Sequence, residues 1–281
     1  MMIYMPTTTT ISNRMTLRPA TLADREPIVA WCNTLWNGQP DYIGDVWEYW
    51  LPQGHLYVGE MAGWQVPVVV LRLRVLSPTQ AWFGGLRIHP ELQGQGLGRE
   101  LIDYSIAWAK SWSAATLGYM TEQSNQRMHS MAEKLNFANV GFIEWYELND
   151  LPAAQAEVLP DPRLVDLSQA ANLQEQAGRY VYQWTVRNLD QAELERCAER
   201  QELYVLADGS GWMICEHDGF IAQIEGDLAA QTRLLAHART LPECENLLTP
   251  VWRGSRQAQL ITQLNWRNTN EAYSLFELSL T

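Results

Sequence analysis

Cysteine is scarce in this 281-residue chain, and its four thiols, Cys32, Cys197, Cys215 and Cys244, form no C-x-x-C pair and no cluster with histidine. That spacing argues against a metal site or a disulfide framework and fits reduced thiols in a cytoplasmic protein. Long apolar runs are missing too: none approaches the roughly 20 residues of a membrane span. The opening "MMIYMPTTTTISNR" has no basic stretch ahead of an apolar one. It reads as a flexible tail over residues 1–14 rather than a secretory leader. Positive charge is the third shortage, with 20 Lys and Arg against 32 Asp and Glu and a net charge of −12. Nucleic acid and anionic membranes demand cations, so neither is an expected partner, and a cationic partner is mildly favoured.

What remains is a globular composition, 47% hydrophobic and 19% charged, in a chain long enough for two domains. Alternation and helical spacing predict the order β-α-α-β-β-β-α-β-α-β over residues 15–148. The stretch 149–163 holds three prolines and reads as a linker. Over 164–281 the plan recurs in a worn form. "RLVDLS" reads as a strand, "QAANLQEQAGRYV" as a helix, and residues 203–226 as a meander. Near the end, "SNQRMHSMAEKLNF" lies over "RGSRQAQLITQLNW" at a constant offset of 129, with Arg127 on Arg256, Leu135 on Leu264 and Asn136 on Asn265. The expected class is α+β, two tandem domains each with a mixed, mostly antiparallel sheet flanked by helices.

The most informative stretch is "HPELQGQGLGREL", residues 89–101. A strand ends at Pro90, glycines occupy positions 94, 96 and 98, and an amphipathic helix follows. First-turn amides have no partner within a helix, the helix dipole adds positive charge there, and glycine lets an anion reach the backbone. A dinucleotide fingerprint fails because Arg99 stands where its last glycine belongs. A nucleotide-hydrolase loop fails because no G-K-[ST] follows. The pattern Q-x-x-G-x-G is met by Gln93, Gly96 and Gly98.

In motif and element order the chain resembles the GNAT family of N-acetyltransferases. "LRIHPELQGQGLGRELIDYSI" is similar to that family's acetyl-CoA signature, and "NQRMHSMAEKLNF" to its second signature. The resemblance implies acetyl-CoA as cofactor, its diphosphate on the amides of Gln93, Gly94, Gln95, Gly96, Leu97, Gly98 and Arg99. It implies that the pantetheine arm runs along Leu86, Arg87 and Ile88, with Asn125 helping to hold it. In the second half Gln223 and Gly226 keep part of the spacing, but Leu228 replaces the last glycine and Asp227 sets a carboxylate where phosphate would lie. A domain over 164–281 that does not bind coenzyme A is expected.

The implied reaction is direct acetyl transfer to a primary amine of a small molecule or peptide. The tyrosine that often serves the family as acid is replaced by Ala132; Tyr146, Tyr119 and Tyr104 are substitutes, and Glu122 is the candidate base. In this family the segment between the first two helices forms a substrate wall. Here it offers Trp36, Asp41, Tyr42, Asp45 and Trp47, with Asp41 and Asp45 read on one helix face. Carboxylates beside aromatic rings suit a cationic amine. The absent tyrosine keeps a second reading open, a non-catalytic acyl-CoA sensor or scaffold. The acceptor and the oligomeric state are not set by the sequence, and a homodimer stays among the options.

Overall fold

The computed structural model describes residues 8–12, 14–36 and 39–281. The chain forms two compact units. One comprises Met1–Tyr119, Met131–Phe137 and Glu277–Thr281; the other comprises Met120–Ser130 and Ala138–Phe276.

The first half of the chain contributes β1 (Thr9–Ser12), β2 (Met15–Pro19), α1 (Arg25–Cys32), α2 (Ile43–Trp50), β3 (Leu56–Met61), β4 (Val69–Ser77) and β5 (Gln80–Ile88). It continues with α3 (Leu97–Ser111), β6 (Thr116–Glu122), α4 (Gln126–Lys134) and β7 (Ala138–Leu148). In the first unit the strands lie in the order β1 to β6. Neighbours are antiparallel up to β5, and β5 and β6 are parallel, joined by α3 as the crossover. Residues 9–12, expected in a flexible tail, are a strand because β2 offers them a partner edge, pairing Thr9 with Leu17. The rest of that expected tail, residues 1–7 and 13, lies outside the described residues apart from Thr8 and Arg14. The apolar sides of α1 and α2 bury Ile28, Trp31, Cys32, Ile43, Trp47 and Trp50 against Leu56, Val58 and Val70.

Two irregularities of β5 shape this unit. Val70 pairs with Arg87 but Arg72 pairs with Gly84, so β5 carries one extra residue, a bulge. Gly85 sits there at φ +61, and a Cβ on it would meet Trp50 Cζ3 at 2.8 Å, so both sign of φ and space require glycine. The pairing of β5 with β6 covers Gln80–Trp82 and Thr116–Gly118 and then stops. Beyond that point β5 pairs only with β4 among the described residues.

The second half adds β8 (Val158–Leu159), α5 (Ala171–Glu175), β9 (Arg179–Tyr182), β10 (Thr185–Asn188), α6 (Gln191–Glu199), β11 (Leu203–Leu206), β12 (Gly211–Cys215) and β13 (Ile221–Gly226). It ends with α7 (Leu228–Ala238), β14 (Leu247–Trp252), α8 (Arg256–Gln263) and β15 (Arg267–Ser279). The expected meander is β11–β12–β13. The expected strand "RLVDLS" is instead a pair of 3-10 turns, because Asp161 and Asp166 accept from the amides of Arg163 and Ser168 and hold the chain in local turns. The expected helix over 169–181 stops at Glu175, since Ala177 and Gly178 turn left-handed at φ 54 and 74, and β9 follows. Within the expected linker, Val158 and Leu159 pair with β11. The duplicated helix ends agree: Asn136 and Asn265 are both left-handed, at φ 60 and 57.

The units do not follow the expected boundary between 148 and 164. In the second unit the order is β15-β7-β14, so the last strand of the first repeat is inserted beside strands of the second. β7 runs antiparallel to β14 from Leu148↔Leu247 to Ile143↔Trp252. Leu148 joins the core formed with Leu206, Met213, Leu234, Leu235, Val251 and Ile261. Gly141 makes this pairing possible: a Cβ there would meet Trp252 Cζ3 at 2.3 Å. Gly141→Ala is therefore expected to destabilise the protein by about 1–3 kcal/mol, measured by urea unfolding, as overpacking does. An unchanged midpoint would contradict this packing.

Candidate active site

The glycine loop begins with a 3-10 turn at Pro90–Leu92, where His89 Nδ1 accepts from the Glu91 amide at 3.4 Å. Gln93 is extended, and its Nε2 donates to the Ile88 carbonyl at 3.1 Å, tying the loop to the end of β5. Gln95 Nε2 donates to the Glu91 carbonyl at 2.8 Å. Gly94 and Gly96 have φ of +77 and +89, and a Cβ on either would meet nothing within 4 Å. Their glycines answer the sign of φ, and the space above them is open. Gly98 has ordinary helical backbone, and its Cβ would touch only Ile88 Cδ1, at 3.6 Å. The amides of Arg99 and Glu100 turn back to the Gly96 carbonyl at 3.0 and 3.2 Å. Among the described residues no acceptor meets the amides of 94–98. Five N–H groups thus stand at the positive end of the 15-residue helix α3, whose N-cap, Gly96, has no side chain to satisfy them. Such a cradle fits a diphosphate. Arg99 stands at its rim, paired with Asp103 at 2.7 Å.

Leu86, Arg87 and Ile88 follow the bulge on β5. The Arg87 guanidinium turns to α2: Nε donates to Asp41 Oδ2 at 2.7 Å and its charge lies 5.4 and 4.9 Å from the Trp36 and Tyr42 ring centroids. Asp41 also accepts from Trp36 Nε1 at 2.5 Å and from the Ile43 amide at 2.9 Å. Its side chain is 0% exposed. This corrects the expected roles of two residues. Asp41 is consumed by Arg87 and has no face for a substrate cation; it precedes α2, so it shares no helix face with Asp45, which is exposed in the first turn. Trp47 is 0% exposed and belongs to the core, because its position on α2 faces α1 and the sheet. Trp36 and Tyr42, each 46% exposed, do present rings to solvent.

In the second unit, Asn125 Nδ2 donates to Thr121 Oγ1 at 3.0 Å and its Oδ1 accepts from the Met128 amide at 3.3 Å. Glu122 accepts from Ser124 Oγ at 3.0 Å. Tyr146 donates to Glu144 Oε2 at 3.1 Å; burial and that carboxylate raise its pKa. In the first unit Ala132 is buried, and Tyr119 packs against Phe83 and Phe137, with burial pushing its hydroxyl pKa up.

The second repeat resolves the same junction differently. Asp227 caps α7 by accepting from the Ala230 amide at 2.8 Å. On the preceding strand, Glu225 accepts from the amides of Asn172 and Leu173 at 3.1 and 2.7 Å. Asp227 thus takes a first-turn amide of α7, and Glu225 takes amides at the start of α5. Asp227→Ala is expected to cost about 1 kcal/mol of stability by thermal melting, the usual worth of an N-cap. Calorimetry is expected to give one acetyl-CoA per chain in both proteins; a second equivalent in either would contradict a second half that does not bind it.

Reading along the sequence missed the bulge at Gly85. The adjacent Gly84–Gly85 was the available signal.

Residues 25–137 match the family model described as Acetyltransferase (GNAT) family. Acetyl-CoA is the cofactor of that family. Among solved structures, a GCN5-related N-acetyltransferase from Sphaerobacter thermophilus superposes with a TM-score of 0.64 at 16% identity, covering 96% of this chain and 97% of its own. A GCN5-related N-acetyltransferase from Kribbella flavida gives 0.52 at 12% identity, covering 95% and 72%. A tandem GNAT protein from the clavulanic acid biosynthesis pathway gives 0.50 at 14% identity, covering 80% and 82%. At these identities the likeness is one of fold, and it extends over both halves. A comparison with curated protein sequences yields no match.

Proposed function

We propose that this chain is an N-acetyltransferase acting on the primary amine of a small molecule or peptide. The row of unmet amides over residues 94–98 at the head of α3, beside a bulged strand, carries this reading. Acetyl-CoA supplies an acetyl group activated as a thioester. The amides from Gln93 to Arg99 bind its diphosphate, Leu86 to Ile88 offer backbone to the pantetheine arm, and Asn125 assists. A backbone N–H of the same stretch of β5 faces the charge that develops on the thioester oxygen. Trp36 and Tyr42 form the acceptor's wall. The amine loses its proton to Glu122 or a water chain, and Tyr146 returns one to the thiolate. The four free thiols accord with a cytoplasmic protein.

The buried Ala132 in place of the usual acid favours the second reading, an acyl-CoA sensor. Turnover over a panel of amines separates the two. Acetylated product from any amine supports the enzyme; thermal stabilisation by acetyl-CoA without product supports the sensor.

A further inference from the structure

β5 ends at Ile88, and the chain turns into the glycine loop at the next residue, His89. The His89 imidazole is held from two sides. Its centroid lies 4.6 Å from the Trp64 ring, edge-on at 63°, and 5.6 Å from the Trp31 ring, tilted at 58°. Both separations lie in the range of favourable aromatic pairs. Trp31 comes from α1 and is buried; Trp64 comes from the turn between β3 and β4 and is half-buried. The two arms of this clamp are tied to each other, because Trp31 Nε1 donates to the Pro67 carbonyl of that same turn at 3.1 Å. The backbone is fixed at the same point. The His89 amide donates to the Val68 carbonyl at 2.8 Å, and the Val68 amide donates to the Gly59 carbonyl of β3 at 2.8 Å.

His89 thus stands between the two stretches assigned to the cofactor. On one side of it are Leu86 to Ile88, on the other the amides of 94–98. The side-chain bonds within the loop, His89 with the Glu91 amide, Gln93 with the Ile88 carbonyl and Gln95 with the Glu91 carbonyl, are all local. They shape the loop. The clamp acts across the fold, from α1 and from a turn that belongs to neither stretch. The His89 Nδ1 contact at 3.4 Å is long for a hydrogen bond, so ring packing is the stronger hold on this side chain. A ligand that touches both a strand and a loop gains affinity when their relative placement is set before it binds, because less ordering is left to be done. Trp64 also lies outside the apolar cluster that contains Trp31, so its contact with His89 is separable from the core.

We propose that His89, gripped by Trp31 and Trp64, is a positioning residue for acetyl-CoA. The clamp fixes the glycine loop relative to β5, so that the amides for the diphosphate and the strand for the pantetheine arm are in place before the cofactor arrives. Trp64 acts through His89 and touches no cofactor. This rests on the placement of acetyl-CoA given under the proposed function, and not on acetyl transfer itself.

The test is calorimetric titration of acetyl-CoA into the full chain, for the parent and for Trp64→Ala, His89→Asn and His89→Phe, with circular dichroism on each. Asparagine keeps an acceptor for the Glu91 amide and removes the ring; phenylalanine keeps a ring between the indoles and removes the acceptor. The expected result is a Kd raised about 10-fold or more in Trp64→Ala and His89→Asn, and recovered to within about threefold of the parent in His89→Phe. Hydrogen exchange on the free proteins is the second readout. Peptides over residues 89–101 are expected to exchange faster in the two weakened variants, with peptides from β2 and α2 as in the parent. Unchanged affinity in Trp64→Ala, or affinity kept by asparagine or lost with phenylalanine, overturns the proposal. So does faster exchange spread over the whole unit, which marks a merely structural role. If Trp64→Ala melts below the titration temperature, Trp64→Leu takes its place with the same expectation. Gly98→Trp in the same titration separates this proposal from the placement it rests on. Binding abolished there but unchanged in Trp64→Ala removes the clamp alone; binding unchanged there removes the placement and the clamp together.

Discussion

Gly98→Trp is expected to abolish acetyl-CoA binding while leaving the fold intact, with Kd raised at least about 100-fold, ~2.7 kcal/mol. The backbone at 98 is helical and its Cβ would make one ordinary contact, with Ile88 Cδ1 at 3.6 Å. Nothing in the fold therefore demands glycine, and an indole there rises over the unmet amides. Gly98→Ala serves as control and should bind within about threefold of the parent, because one methyl leaves the cradle open. Gly96 is a poorer probe. Its φ of +89 makes any side chain strained by roughly 1–2 kcal/mol, so lost binding there mixes folding with occlusion. Titration of acetyl-CoA with circular dichroism on each variant checks the prediction. Unchanged affinity in Gly98→Trp would remove the diphosphate from this junction.

The second large effect is expected at Asp41. Removing its charge leaves Arg87 buried against two rings with no counter-ion, and one-sided removal of a buried pair costs about 3–5 kcal/mol. Asp41→Asn should therefore lower the unfolding midpoint sharply in denaturant. A residue that held a substrate cation would behave oppositely, raising KM with stability nearly unchanged. Conversion of both partners, Asp41→Asn with Arg87→Met, should recover part of the loss, because no lone charge remains. A double variant no more stable than Asp41→Asn would count against the pair as the cause.

Much of the first unit was legible along the chain. The order of strands and helices followed from apolar period, and Pro90 ended β5 where the sequence places it. Asn136 and Asn265 stood out by their common offset and share a left-handed backbone. Less was legible where short polar side chains compete with the ladder. Asp161 and Asp166 bent an apolar stretch into turns that periodicity reads as a strand. The aromatic wall was half legible: composition brought Trp36, Tyr42 and Trp47 to attention, but only packing separates two exposed rings from one buried in the core.

The sequence by itself determined the row of unmet amides at the head of α3, because consecutive residues suffice for it: a strand end, glycines free to turn left-handed, and a helix whose first amides lack partners. It determined the capping of α7 for the same reason, since Asp227 accepts from an amide three residues on. The tertiary structure alone decided which charges remain available. Asp41 and Arg87 are 46 positions apart, and Trp50 and Gly85 meet only when α2 and β5 assemble. It also decided that β7 closes the core of the second unit. Pairing partners are chosen by the free strand edges and buried faces that folding brings together, and no local pattern records that choice.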